Sequence, residues 1–179
     1  DFDMDMDFKM GWNDAGDWYN YTRDFPAKVT YYNVIGRFSS GGAAIDNKLS
    51  IVTSDATAAD QTVEDVGTFT GPATGGWDNM AFFPLKDANG KLAKVSLSGT
   101  STVRLTKVGG NMDVNYLAFV PYVAPTSAVD APVIAYQAPE GGWAYSLNAG
   151  DISSWNHDNG SDQWDGSAIG GEFGDENRP

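Results

Sequence analysis

Apolar residues recur at every second position through the first ten residues of this chain, and in part through residues 17–25. Nowhere do they form the 3.6-residue stripe of an amphipathic helix. The first ten residues set the pattern. Phe2, Met4, Met6, Phe8 and Met10 fall on one side, and Asp1, Asp3, Asp5, Asp7 and Lys9 on the other. A chain written this way folds as strands with one buried face. Strand-like runs follow at residues 17–25, 29–38, 49–53, 62–69, 80–85, 94–97, 103–108 and 114–120. Turn formers separate them: Ser39-Ser40-Gly41-Gly42, Gly71-Pro72, Gly75-Gly76, Asn89-Gly90, Ser98-Gly99 and Gly109-Gly110-Asn111. Many short strands with Gly-rich turns predict an all-β, antiparallel β-sandwich of the jelly-roll kind, with a short β/loop C-terminal extension.

The sandwich is expected over residues 1–122. The run from Pro121 to Pro132 reads as extended, so 123–132 is expected to be a linker. Residues 133–179 form an acidic, Gly/Asp-rich extension with two short strand-like runs, at 133–137 and 143–147. About 50 residues is small for an independent core, so this part is expected to dock on the sandwich or on a neighbour. The chain begins with Asp and carries no visible signal peptide, which reads as a mature or excised piece of a longer protein.

Charge narrows the partners. There are 24 acidic residues against 11 basic ones, a net charge of -13. Such a field repels phosphate backbones and anionic lipid, so neither nucleic acid nor membrane insertion is expected. The absence of cysteine removes disulfides, zinc–thiolate centres and cysteine nucleophiles. The single histidine, His157, sits in an Asn-His-Asp-Asn-Gly turn with no identifiable nucleophile. No Walker loop, G-x-S-x-G or H-E-x-x-H motif occurs, and nothing singles out a glycosidase carboxylate pair. The chain is read as a non-enzyme. Asp158, Asp162 and Asp165 cluster in a Gly-containing loop, which reads either as a solvated turn or as a calcium (Ca2+) site.

Aromatics beside Gly/Asp turns carry the functional signal. The run from Gly11 to Tyr21 holds Trp12, Trp18, Tyr19 and Tyr21 between polar residues, and Trp77 follows Gly75-Gly76. Sugar rings have apolar C–H faces ringed by hydroxyls. A flat indole covers such a face, and a neighbouring Asn or Asp takes the hydroxyls. Alternate aromatics of a strand could equally be core, and period 2 lets only one set face inward.

Several segments, in order, resemble family 6-like carbohydrate-binding modules over about residues 8–122. Gly16-Asp17-Trp18-Tyr19-Asn20-Tyr21-Thr22, with Phe25-Pro26 and Tyr31 through Arg37, is similar to the family's G-D-W-x-x-Y signature and the strand after it. Thr74-Gly75-Gly76-Trp77 resembles its T-G-G-W segment. Ser96 through Leu105 resembles its G-x-x-T-L-R-L stretch, and Asp113 through Phe119 its closing strand. The resemblance implies a galactose-binding-like jelly roll, non-catalytic and secreted or extracellular, that binds a polysaccharide or other glycan. It implies stacking by Trp18 and Trp77, with polar contacts from Asp113 and Asn115. Asp113 stands where the family has Asn, and an ionised carboxylate only accepts hydrogen bonds. That leaves a cationic sugar, a calcium-bridged contact or an unused cleft.

The family's opening acidic strand is replaced by Asp1 through Asp7, so part of the jelly roll must come from elsewhere: from the extension or from another chain. An alternative follows: a structural subunit of an extracellular filament or matrix, polymerising by donating residues 1–10 to another copy.

Overall fold

The computed structural model describes residues 8–110, 112–122, 145–148 and 152–156. Every named element among them is a β-strand: β1 (Trp18–Ser40), β2 (Ile45–Val52), β3 (Val63–Gly71), β4 (Gly76–Lys86), β5 (Val95–Gly109), β6 (Asp113–Pro121), β7 (Tyr145–Asn148) and β8 (Ile152–Asn156). No helix among the described residues is long and apolar enough to cross a membrane. All strand pairings among the described residues are antiparallel.

β1 organises the molecule because it belongs to two layers. Its first half lies between β5 and β8, and its second half between β4 and β6. One layer is β3-β2-β5-β1-β8 and the other is β4-β1-β6-β7, with a short β3–β4 pairing joining them. The result is the jelly-roll sandwich.

The change of layer has a local cause. Residues 17–25 and 29–38 are two runs in sequence but one strand in space, with the β1–β5 register slipping between Phe25 and Thr30. Pro26 has no N–H to give to a ladder, so the slip falls where the ladder is already broken. Opposite it, Gly99 takes a left-handed φ of 58°. That glycine lets residues 94–97 and 103–108, expected as separate strands, run on as β5.

The core fills the space between the layers. Tyr19, Tyr21, Phe38, Leu49, Phe69, Val103, Leu105, Val114, Leu117 and Phe119 are fully buried. Phe38 meets Phe69 edge-on at 5.2 Å and stacks on Phe83 at 6.0 Å. Alternation in β1 holds: Tyr19 and Tyr21 point inward, so Trp18 lies on the outer side.

The N-terminal alternation is described only from Phe8 onward. There, Met10 bridges Val114 of the same chain, with N–H···O bonds of 2.8 Å in both directions. Donation of residues 1–10 rests on residues 1–7, which lie outside the described residues. So do the expected linker, the run at 133–137 and His157. The run expected at 143–147 meets β7, while β8 falls in the polar, Gly/Asp-rich stretch in which no strand was expected.

Candidate functional site

Two loops at one end of the sandwich present indoles to solvent. The first precedes β4. Thr74 fastens it, its hydroxyl accepting the Ser40 N–H at 2.8 Å and lying 3.1 Å from the carbonyls of Ser40 and Gly76. Gly75 then turns the chain with a φ of 81°, and Trp77 emerges half-exposed. Its ring lies over Gly41, where a Cβ would come within 2.9 Å of the indole. Only glycine allows that approach. The Trp77 carbonyl is held from behind by Ser39 Oγ and by Lys9 Nζ, the latter at 3.2 Å. An open hollow of about 650 Å³, lined by Pro72, Thr74, Asn79, Met80 and Phe82, flanks this hairpin.

The second loop precedes β1. Trp12 is 80% exposed and has a φ of 59°, a left-handed backbone that a bulky residue rarely takes. The residues around it over-determine that conformation. Asn13 Nδ2 donates to the Met112 carbonyl at 2.6 Å, and buried Lys107 donates through Nζ to the Asn13 carbonyl at 2.9 Å. Asp17 Oδ2 accepts from the Asp14 N–H at 2.7 Å, and the Gly16 N–H reaches the Lys107 carbonyl at 2.9 Å.

Charge links the loops. Lys9 Nζ lies 2.8 Å from Asp113 Oδ2 and 2.8 Å from Asp78 Oδ1. Gly11 packs on the Asp113 carboxylate, where a Cβ would stand 2.6 Å from Oδ1. Burial works against the Lys9 ammonium, but hydrogen bonds to Asp113 and Asp78 outweigh it and raise its pKa above the ordinary lysine value. An ion pair alone would lower Asp113. Its burial instead decides the direction: desolvation raises the carboxyl, Lys9 pulls it back, and Asp78 adds repulsion.

The four residues expected to carry a site do not lie together. Trp77 and Asp113 share the Lys9 cluster. Asn115, 1% exposed, stands behind it: Oδ1 accepts from Arg37 and Nδ2 donates to the Phe8 carbonyl at 2.8 Å. Trp18 lies elsewhere, on the outer face of the β5 layer, with the Arg104 guanidinium 3.7 Å above its ring. Burial lowers Arg104 to about 10. Its Nε donates to Asn20 at 3.0 Å and its Nη2 to Gln61. Asn20 is fully buried in this network, its Nδ2 donating to Gln61 at 2.7 Å. Asp158, Asp162 and Asp165 lie outside the described residues, and among the described residues no group of three or more acidic or histidine side chains could hold a metal ion.

Lys9 and Asp78 belong to the cluster without having been proposed as site residues from sequence, and Trp12, named there among the turn-flanked aromatics, stands three positions along the chain from Lys9. For Trp12 a signal exists: an indole between Gly11 and the turn formers Asn13-Asp14 lies outside any strand alternation. Lys9 and Asp78 meet across 69 positions, and no local pattern announces such a contact.

Residues 4–121 match the model of the family described as Carbohydrate binding module (family 6). The chain belongs to this family. Family 6 modules are non-catalytic carbohydrate binders. Similar solved structures include the C-terminal family 6 module of LamC, a marine laminarinase from Zobellia galactanivorans (21% identity, 61% of this chain and 76% of that one, TM-score 0.46). Two others are the module CBM6cm-2 of Cellvibrio mixtus lichenase 5A, solved with cellotriose (22%, 65% and 78%, 0.45), and a β-1,3-glucan-binding family 6 module from Bacillus halodurans (22%, 62% and 75%, 0.46). No curated protein matches the chain.

Proposed function

We propose that this family 6 module binds an uncharged glycan at the loop end of the sandwich, between Trp12 and Trp77, without catalysis. The observation that carries the reading is the pair of solvent-facing indoles on loops tied together through Lys9, Asp113 and Asp78. An exposed indole costs solvation unless something flat and apolar covers it, and a pyranose face does so. Asp78 and Asp113 accept from ring hydroxyls, and Lys9 donates to them. Asn115 acts from behind, holding the Phe8 carbonyl and so the strand that carries Lys9. The polymer is met outside the cell. Calcium at Asp158, Asp162 and Asp165 stays part of the proposal, resting on their spacing alone.

The test is calorimetry on a panel of neutral and charged polysaccharides with three variants. Trp12→Ala and Trp77→Ala each weaken binding about tenfold or more and leave the melting temperature nearly unchanged. Trp18→Ala spares the affinity. Binding that survives both loop substitutions and fails with Trp18→Ala would move the site to the outer face of the β5 layer.

A further inference from the structure

Among the described residues, β4 is paired along one side only for most of its length. Gly76 and residues 81–84 meet β1, while β3 reaches β4 at Leu85 and Lys86 alone. Nearer the loop the hairpin opens, and the hollow beside Trp77 is lined by residues 72–74 on one strand side and 79–83 on the other. Its volume, about 650 Å³, falls in the roughly 300–1,000 Å³ range of small-ligand sites. No charged side chain lines it, in a chain of net charge -13.

An apolar face and a placed amide meet there. Phe83 and Leu85 are buried, so alternation turns Phe82 outward, and it is 54% exposed. Its ring rests on Tyr116 at 6.4 Å and 57°, and the Arg37 guanidinium lies 5.8 Å from the centre of the Tyr116 ring. The phenyl is thus backed on one side and open on the other. It carries no polar atom, so only an apolar surface covers it well. Asn79 stands at the rim. Its amide lies against Gly76, where a Cβ would come within 2.8 Å of Nδ2. That Nδ2 is 3.4 Å from the Thr74 carbonyl, and Oδ1 has no partner among the described residues. An amide offers a hydroxyl both a donor and an acceptor.

The lining selects among occupants. An added peptide strand needs a continuous ladder, and Pro84 has no N–H to give to one on this edge. An anion would find no cation. A neutral sugar ring finds a phenyl for its C–H face and an amide for its hydroxyls. The hollow also shares its wall with the loop that carries Trp77: Thr74 and Asn79 flank that indole in sequence and line the hollow. Trp77 and Phe82 are five residues apart on one strand, at most roughly 17 Å. A short oligosaccharide spans that distance and a single ring does not. We propose that the hollow beside β4 is a second glycan subsite, with Phe82 and Asn79 holding a further unit of the neutral chain that Trp12 and Trp77 hold. The inference rests on the loop-end reading above. It makes the module selective for a stretch of polymer over a lone sugar.

The experiment titrates the nitrogen-15-labelled full chain with neutral oligosaccharides, from disaccharide to hexasaccharide. Three series are used: β-1,3-linked glucose, β-1,4-linked glucose and β-1,4-linked mannose. Nuclear magnetic resonance reads the site, and calorimetry reads affinity. A disaccharide should move the indole N–H signals of Trp12 and Trp77. A hexasaccharide should also move the amides of Asn79 and Phe82 and bind about tenfold more tightly. In Phe82→Ala and in Asn79→Ala that ratio should fall to within twofold of unity. Phe82→Tyr keeps the flat ring and should keep the ratio. Moving indoles with still Asn79 and Phe82 amides, or a length dependence that both alanine variants retain, overturns the second subsite and leaves the loop-end reading standing. Moving Asn79 and Phe82 amides with still indoles overturns the loop-end reading and leaves the hollow as a site of its own. Signals that stay in place with all three series overturn both.

Discussion

Asp113 decides how this site responds to pH. Its folded pKa lies above the ordinary carboxyl value of 3.8 because burial outweighs Lys9. The folded state therefore holds that proton more tightly than the unfolded chain. Acidification through the window just above pH 3.8 does not destabilise the fold through this group. It does change the site: protonated Asp113 becomes a donor, and Lys9 loses a charged partner. Wild-type glycan affinity should fall roughly tenfold across that window, one charge-assisted hydrogen bond's worth, while circular dichroism stays constant. Asp113→Asn should give a flat profile. Parallel profiles would remove Asp113 from the site. Lys107 supports the other loop. Its burial lowers its pKa, with Asp14 and Asp17 pulling the other way. Lys107→Met keeps the volume and removes the tether to the Asn13 carbonyl. The expected result is a melting temperature within a few degrees of wild type, faster amide exchange at Asn13 and Asp14, and several-fold weaker binding. Unchanged affinity with loosened amides would show that Trp12 needs no pinned loop.

Among the elements, the β4 hairpin is built around two glycines with different jobs. Gly75 supplies a left-handed turn in open space, and Gly41 supplies a floor for the Trp77 ring. Gly75→Ala strains the backbone by about 1 kcal/mol and leaves the indole where it is. Gly41→Val drives a side chain into the indole and tilts it. Binding should drop about tenfold for Gly41→Val and less than twofold for Gly75→Ala, read by calorimetry beside thermal melts. The reverse order would mean that the turn, and not the ring's seat, sets the site. Sequence patterning foresees most strands here because alternation and turn residues act over neighbours. It divides β1 and β5 because Phe25-Pro26 and Ser98-Gly99 look like ends, while the slip between Phe25 and Thr30 lets pairing resume beyond them. The site is less legible. Trp77 follows its glycines visibly, but the cover on Trp18 comes from Arg104, 86 positions away.

On the scale of the whole molecule, charge sorts the ligands. Of the 24 acidic residues, 15 lie in residues 1–122 against 10 basic ones. The remaining nine follow Tyr122 with one arginine. The sandwich thus carries a net charge of -5 and the rest -8. The loop-end cluster is itself negative, with two carboxylates around one ammonium. A polyanion approaching this end meets repulsion from the site and from the field behind it. A neutral polymer meets only the indoles and the hydroxyl partners. At low ionic strength, where the Debye length is roughly 30 Å at 0.01 M, binding to an alginate- or pectin-like polymer should be at least tenfold weaker than to a neutral glucan. Raising salt to about 0.15 M should narrow the gap by strengthening the anionic case alone. Affinity for a neutral glucan should stay within twofold across the same range. Tighter binding of the polyanion at low salt would mean that Lys9 leaves its two carboxylates to meet the ligand, and would replace the neutral-glycan reading with an acidic one.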